Sequence, residues 1–136
     1  IYPLAFAAAG GATGRRAGSL AFFPAWLFLT AFAYEILKDL RDCRDDPAIG
    51  GRPTPIQRRP GQWLALSRAA TMLAVPILAG PCFAGCGWVY AAGAGVAAVV
   101  AVVSTFVPLR AAILCLYAEC VLVGLAAAAD VMILGV

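Results

Sequence analysis

Tyr34-Glu35-Ile36-Leu37-Lys38-Asp39-Leu40-Arg41-Asp42-Cys43-Arg44-Asp45-Asp46 gathers most of the acid of a very apolar chain in one place, directly after a hydrophobic segment long enough to cross a bilayer. Of the ten basic and seven acidic residues, eleven lie between Glu35 and Arg59, so the charge is organised around one loop. At about 100° per residue of helix, Glu35, Asp39, Asp42 and Asp46 fall at roughly 0°, 40°, 340° and 20° around the axis. Four carboxylates share one stripe. Like charges at these spacings destabilise a helix, so the stripe asks for something positive in front of it, either basic side chains or a hard divalent cation. Mg²⁺ fits, because it typically takes one or two carboxylates, keeps several waters and bridges to substrate phosphates. Lys38, at about 300° on the same count, flanks the stripe, while Arg41 and Arg44 turn away from it. The other reading of the same residues is a solvated helix end laced with Arg–Asp pairs.

The surroundings decide the fold class. The chain is 63% hydrophobic and 12% charged, with a mean hydropathy of +0.90, and so carries about half the charge of a soluble domain. Segments of roughly 20 apolar residues mark spanning helices, and four can be placed, about Gly18 to Leu37, Trp63 to Gly80, Cys86 to Val107 and Leu109 to Val136. A partial fifth precedes them at Ile1 to Gly10. Arg15 and Arg16 follow that stretch, whereas a signal peptide has its basic residues in front; it therefore reads as the tail of a helix that begins upstream. Pro108 with Arg110, and Gly80-Pro81 with Gly85 and Gly87, break the apolar runs. Pro24 and Pro76 fall inside predicted helices, where kinks are expected. No segment alternates with the period of a membrane barrel. The expected fold is all-α, a polytopic transmembrane helical bundle forming one domain over residues 1–136.

Orientation follows from the basic residues. Lys38, Arg41, Arg44, Arg52, Arg58, Arg59, Arg68 and Arg110 fall on one side of this hairpin scheme and only Arg15 and Arg16 on the other, which makes the charged side cytoplasmic. The runs Ala91 to Ala101 and Ala126 to Ala129 are small enough for close helix packing. Cys82 and Cys86 share the non-cytoplasmic turn, where a disulfide is one option and two small apolar side chains the other. The chain has no histidine, which excludes a His-based triad, a His-ligated haem and a zincin site. Glu119 and Asp130 are acids within the last helix, and an intramembrane carboxylate is a functional candidate by default. Against that, Glu119 needs only an internal hydrogen bond, and Asp130 can be hydrated at the far interface. A net charge of +3, with acids among the bases, gives no sign of nucleic-acid binding.

The pattern Tyr34-x-x-x-Lys38-Asp39-x-x-Asp42-x-x-x-Asp46, followed by Gly51-Arg52-Pro53-Thr54-Pro55-Ile56 and then Gly61, resembles the second aspartate-rich motif and downstream loop of the UbiA superfamily of intramembrane prenyltransferases. About 30 residues match in register, and the apolar segments around them resemble the C-terminal half of that fold. The wording Glu35-Ile36-Leu37-Lys38-Asp39 is most similar to members that prenylate a glycerol-phosphate lipid. The resemblance implies that Asp39, Asp42 and Asp46 hold Mg²⁺ against the diphosphate of a polyprenyl donor, that Lys38 contacts a phosphate oxygen, and that Tyr34 lies near the allylic carbon or the departing diphosphate. It further implies that Arg52 helps to close the loop over the phosphates. A hydrophobic acceptor, lipid or aromatic, completes the reaction, and the expected location is a bacterial-type inner membrane with the motif loop cytoplasmic.

The resemblance is also incomplete. Members carry a first motif of Asn-Asp-x-x-Asp type, and nothing like it occurs in these 136 residues. Asp45 stands where glycine is common, and Pro53 stiffens the loop. The expectation is a chain that represents the C-terminal half of a longer UbiA-like protein. The alternative is a non-catalytic transmembrane subunit within a larger membrane assembly, holding lipid or pigment between its helices. CDP-alcohol phosphotransferases also use helical aspartates, but their Asp-Gly-x-x-Ala-Arg element is absent. A transporter would place its acids at mid-membrane, whereas these cluster at a helix end.

Overall fold

A computed structural model describes residues 22–45, 54–83 and 85–133, and among them every regular element is helical. Helix α1 runs over Phe22–Asp45, α2 over Pro55–Arg58, α3 over Pro60–Ile77, α4 over Gly80–Phe83, α5 over Trp88–Ser104 and α6 over Leu109–Ile133. The expected partial span at the N-terminus, Asp46, Arg52 and the last three residues lie outside the described residues.

Two buried clusters show how the long helices alternate in direction. Trp26 of α1 packs with Ala74 and Leu78 at the end of α3, with Tyr90, Ala94 and Ala97 from the first half of α5, and with Val123 and Ala126 from late α6. At the other end Ala33, Ile36, Leu37 and Leu40 of α1 meet Ala70 of α3 and Ala112, Ile113 and Leu116 from early α6. Early residues of one helix thus meet late residues of the next, up and down through the bundle. As a result Lys38, Arg41, Arg44, Arg58, Arg59, Arg68 and Arg110 collect at one end, as the hairpin scheme predicts.

Small residues set the spacing. Ala33, Ala74, Ala97 and Ala101 are fully buried, and a Cβ added at Gly93 would collide with the Cβ of Ala126, so α5 and α6 approach as closely as backbone allows. Polar side chains tie the helices where they meet. Ser67 Oγ of α3 donates to the Ala33 carbonyl of α1 at 3.0 Å, and Tyr90 Oη donates to the Leu78 carbonyl at 3.1 Å. Trp26 Nε1 donates to Glu119 Oε1 at 2.8 Å, which supplies the internal hydrogen bond that a buried Glu119 requires. Glu119 Oε2 and Thr30 Oγ1 are buried and lack a partner among the described residues.

The outside is apolar. Phe28, Leu73, Phe83, Trp88, Val99, Leu114, Leu125 and Met132 are all exposed, a surface that suits hydrocarbon rather than water. Pro60–Phe83 and Leu109–Ile133 are long and apolar enough to cross a membrane; α5 is apolar but has 17 residues. The charged half of α1 is part of the same continuous helix, which continues eight residues past Leu37, the expected end of the span.

Pro76 lies inside α3, in its last turn, as expected; a proline there supplies no N–H to the preceding turn, and the chain leaves through tighter turns in which Leu78 N bonds to Val75 O and Ala79 N to Pro76 O. One local expectation needs correction. Asp130 is 7% exposed, not a hydrated interfacial acid; its partners are backbone amides, Gly87 N at 2.7 Å and Tyr90 N at 3.2 Å. The turn between α4 and α5 uses Gly85 at φ 91°, a left-handed value that favours glycine. Cys82 and Cys86 beside it are free thiols.

Candidate functional site

Helix α1 presents two chemically opposite faces near its C-terminal end. On one, Glu35, Asp39 and Asp42 are all exposed, in the stripe that the spacing predicts. Lys38 flanks it and sits 3.4 Å from Glu35 Oε2. Tyr34, one turn before Lys38, is half-buried and packs against the lower core cluster. Asp39 has no hydrogen bond or ion pair among the described residues.

Arg41 departs from the expectation that it turns away. Its Nε donates to Asp42 Oδ1 at 2.9 Å and its terminal nitrogen lies 2.8 Å from the same oxygen. Neighbouring helix positions do not face each other, but the long arginine stem lets the guanidinium swing back across that angle. Both ion pairs are solvent-exposed, so each is worth little in stability. The bland reading of the stripe, a helix end with Arg–Asp pairs, therefore accounts for Asp42 but not for Asp39.

The arrangement opposes helix electrostatics. The C-terminal end of a helix carries partial negative charge, so acids there are unfavourable by about 0.3–1 kcal/mol each, and like charges three and four residues apart add a few tenths more. Asp39 and Asp42 supply hard oxygen donors of the kind Mg²⁺ accepts. Among the described residues no three His, Cys, Asp or Glu side chains gather at one point, and Asp46 and Arg52, which complete the expected set, lie outside them.

The opposite face of α1 lines a cavity of about 580 Å³ at the charged end of the bundle. Leu37, Leu40, Cys43 and Arg44 come from α1, and the rest of the wall from α2, α3, the end of α5, the start of α6 and the turn joining those two. Among the described residues none of those lining it is acidic. Helix α2 forms one rim because Thr54 and Gln57 make a reciprocal cap: Gln57 N donates to Thr54 Oγ1 at 3.3 Å and Thr54 N to Gln57 Oε1 at 2.8 Å. Trp63 Nε1 donates to Pro55 O at 3.3 Å and docks α2 onto α3. The sequence carries this signature in Thr54-Pro55-Ile56-Gln57, a segment otherwise expected to be loop.

Comparison with protein-family models, with characterised proteins and with solved structures gives no match.

Proposed function

We propose that this chain belongs to an Mg²⁺-dependent intramembrane prenyltransferase of UbiA type, moving a polyprenyl group from its diphosphate to a lipid or aromatic acceptor. The observation that carries the proposal is Asp39: an exposed carboxylate without a partner among the described residues, with like charges four residues before it at Glu35 and three after it at Asp42. A stripe of like charges needs another source of stabilisation, and a bound cation is one. In this reading Asp39 and Asp42, with Asp46, hold Mg²⁺, which when bound offsets the negative charge that builds on a departing diphosphate. Lys38 leaves its exposed contact with Glu35 to meet a phosphate oxygen, and Tyr34 stands one turn further into the apolar part of the helix, toward the allylic carbon. Arg52 closes the loop. Apolar helix walls accommodate the isoprenoid and exclude water.

The reading is tested by titrating the purified chain with a short, water-soluble prenyl diphosphate in the presence of Mg²⁺ or of a chelator. Binding that requires Mg²⁺ is expected; binding unchanged by chelation removes the metal from the proposal. One observation favours the alternative of a non-catalytic UbiA-like subunit: the cavity opens on the face of α1 opposite the carboxylates. Absence of any donor binding would put that alternative first.

The same reading places four spans in a bacterial-type inner membrane with the end bearing Cys43 and Arg44 cytoplasmic. Cys43 and the exposed Cys82 lie at opposite ends of the bundle. A membrane-impermeant maleimide added to intact cells is expected to label Cys82 and to spare Cys43. Labelling of Cys43 in place of Cys82 would invert the orientation.

A further inference from the structure

The cavity behind the carboxylate stripe has the sign opposite to it. Among the described residues Arg44 and Arg68 line it and no acid does; neither arginine has an ion pair among those residues. Macrodipoles do not set this sign, because α3 and α6 begin there while α1 and α5 end there. The hydroxyls do not set it either. Ser67, Thr71, Ser104 and Thr105 each donate to a backbone carbonyl, which leaves them as acceptors only. Among the side-chain nitrogens that line the cavity, the donors that remain are the two guanidinium groups and the amide NH₂ of Gln57, whose oxygen is held by Thr54 N.

Arg68 makes the strongest demand. It is the single charged side chain in Pro60–Phe83, and eight residues of helix separate it from Pro60, a depth of about 12 Å. A cation at that depth is costly unless its head reaches water or an anion, and Arg68, like Arg44, is exposed. Between it and the charged end the wall is apolar, with Leu40 and Leu64. The volume, about 580 Å³, lies in the range of small-ligand pockets.

The geometry points to a binding site for an anionic amphiphile, in which a phosphate seats between Arg44 and Arg68 with Gln57 donating, and the first part of an acyl or prenyl chain lies along the leucine wall. The inference goes beyond the prenyltransferase reading and does not rest on it: this anion is held by side chains alone, so chelation of Mg²⁺ leaves it bound. Arginine is suited to the role because its planar fork binds two phosphate oxygens at once.

The test is native mass spectrometry of the delipidated full chain in chelator, offered phosphatidylglycerol, phosphatidylcholine or inorganic phosphate. Phosphatidylglycerol is expected to be retained about tenfold more than phosphatidylcholine. Arg68→Gln and the Arg44→Gln/Arg68→Gln pair are expected to erase that preference. Arg58→Gln, the same charge change outside the lining, keeps it, and Arg68→Lys keeps part of it, which separates loss of the site from loss of the fold. Displacement of phosphatidylglycerol by millimolar inorganic phosphate would support the anion seat with free phosphate as its source. Equal retention of the two lipids by the unaltered chain, or erasure of the preference by Arg58→Gln as fully as by Arg68→Gln, would overturn the inference.

Discussion

Asp39→Ala and Asp42→Ala are each expected to lower Mg²⁺-dependent binding of a prenyl diphosphate by about 100-fold or more, while helix content and thermal midpoint stay level or rise slightly. The two halves of that expectation come from the same geometry. Both side chains are exposed, so truncation opens no cavity. Each removes a negative charge that the neighbouring acids of the stripe oppose, and Asp42, in the last turn of α1, is opposed by the macrodipole as well. Asp39→Ala breaks no pair, since Asp39 has no partner among the described residues, whereas Asp42→Ala releases Arg41 from an exposed pair of little value. A purely structural stripe would show the reverse, with stability lost and ligand binding indifferent. Calorimetric titration alongside circular dichroism reads both quantities, and undiminished Mg²⁺-dependent binding by both variants would sink the metal assignment.

The parts of the fold legible in the sequence are those set by local pattern. Apolar runs between Gly/Pro breaks locate the helices, and the one-sided distribution of basic residues anticipates the end at which Lys38, Arg58, Arg68 and Arg110 collect. The acidic stripe follows from helical periodicity alone. What the sequence concealed depends on contacts between distant residues or on side-chain reach. The Trp26–Glu119 bond spans 93 positions, and nothing near Glu119 announces a tryptophan partner. Arg41 points away by its helix angle yet returns to Asp42, because angle fixes the Cβ and not the end of a long side chain. The cavity needs four helices to exist, so the meaning of Arg68, a lone charge in an apolar run, emerges only when Arg44 is found lining the same space. The Thr54–Gln57 cap was legible, but Pro53 and Pro55 around it read more strongly as loop.

Asp130→Ala is expected to destabilise the bundle by about 2–4 kcal/mol, the largest stability effect of any single truncation of an acid in this chain. The reason lies at the start of α5. Its N-cap is Gly87, which has no side chain to offer the first-turn amides, and an unsatisfied N–H away from water is expensive. The missing cap arrives from α6: Asp130 Oδ2 accepts from Gly87 N at 2.7 Å and Oδ1 from Tyr90 N at 3.2 Å. Tyr90 is the third residue of α5, the position whose amide a conventional N-cap side chain would take. A carboxylate there also sits at the favourable end of the α5 dipole, in contrast to the acids of α1. Asp130→Asn keeps one acceptor oxygen and loses the charge, so its cost is expected to be less than half that of alanine. Because Tyr90 Oη also ties α5 to the Leu78 carbonyl, loosening the cap should free the α3–α5 contact first. Amide exchange at Gly87 and Tyr90 would then accelerate ahead of that at Leu116 in the lower core. A thermal midpoint unmoved by Asp130→Ala would instead mean that water replaces the carboxylate at no cost, and that the α4–α5 turn is hydrated in the folded protein.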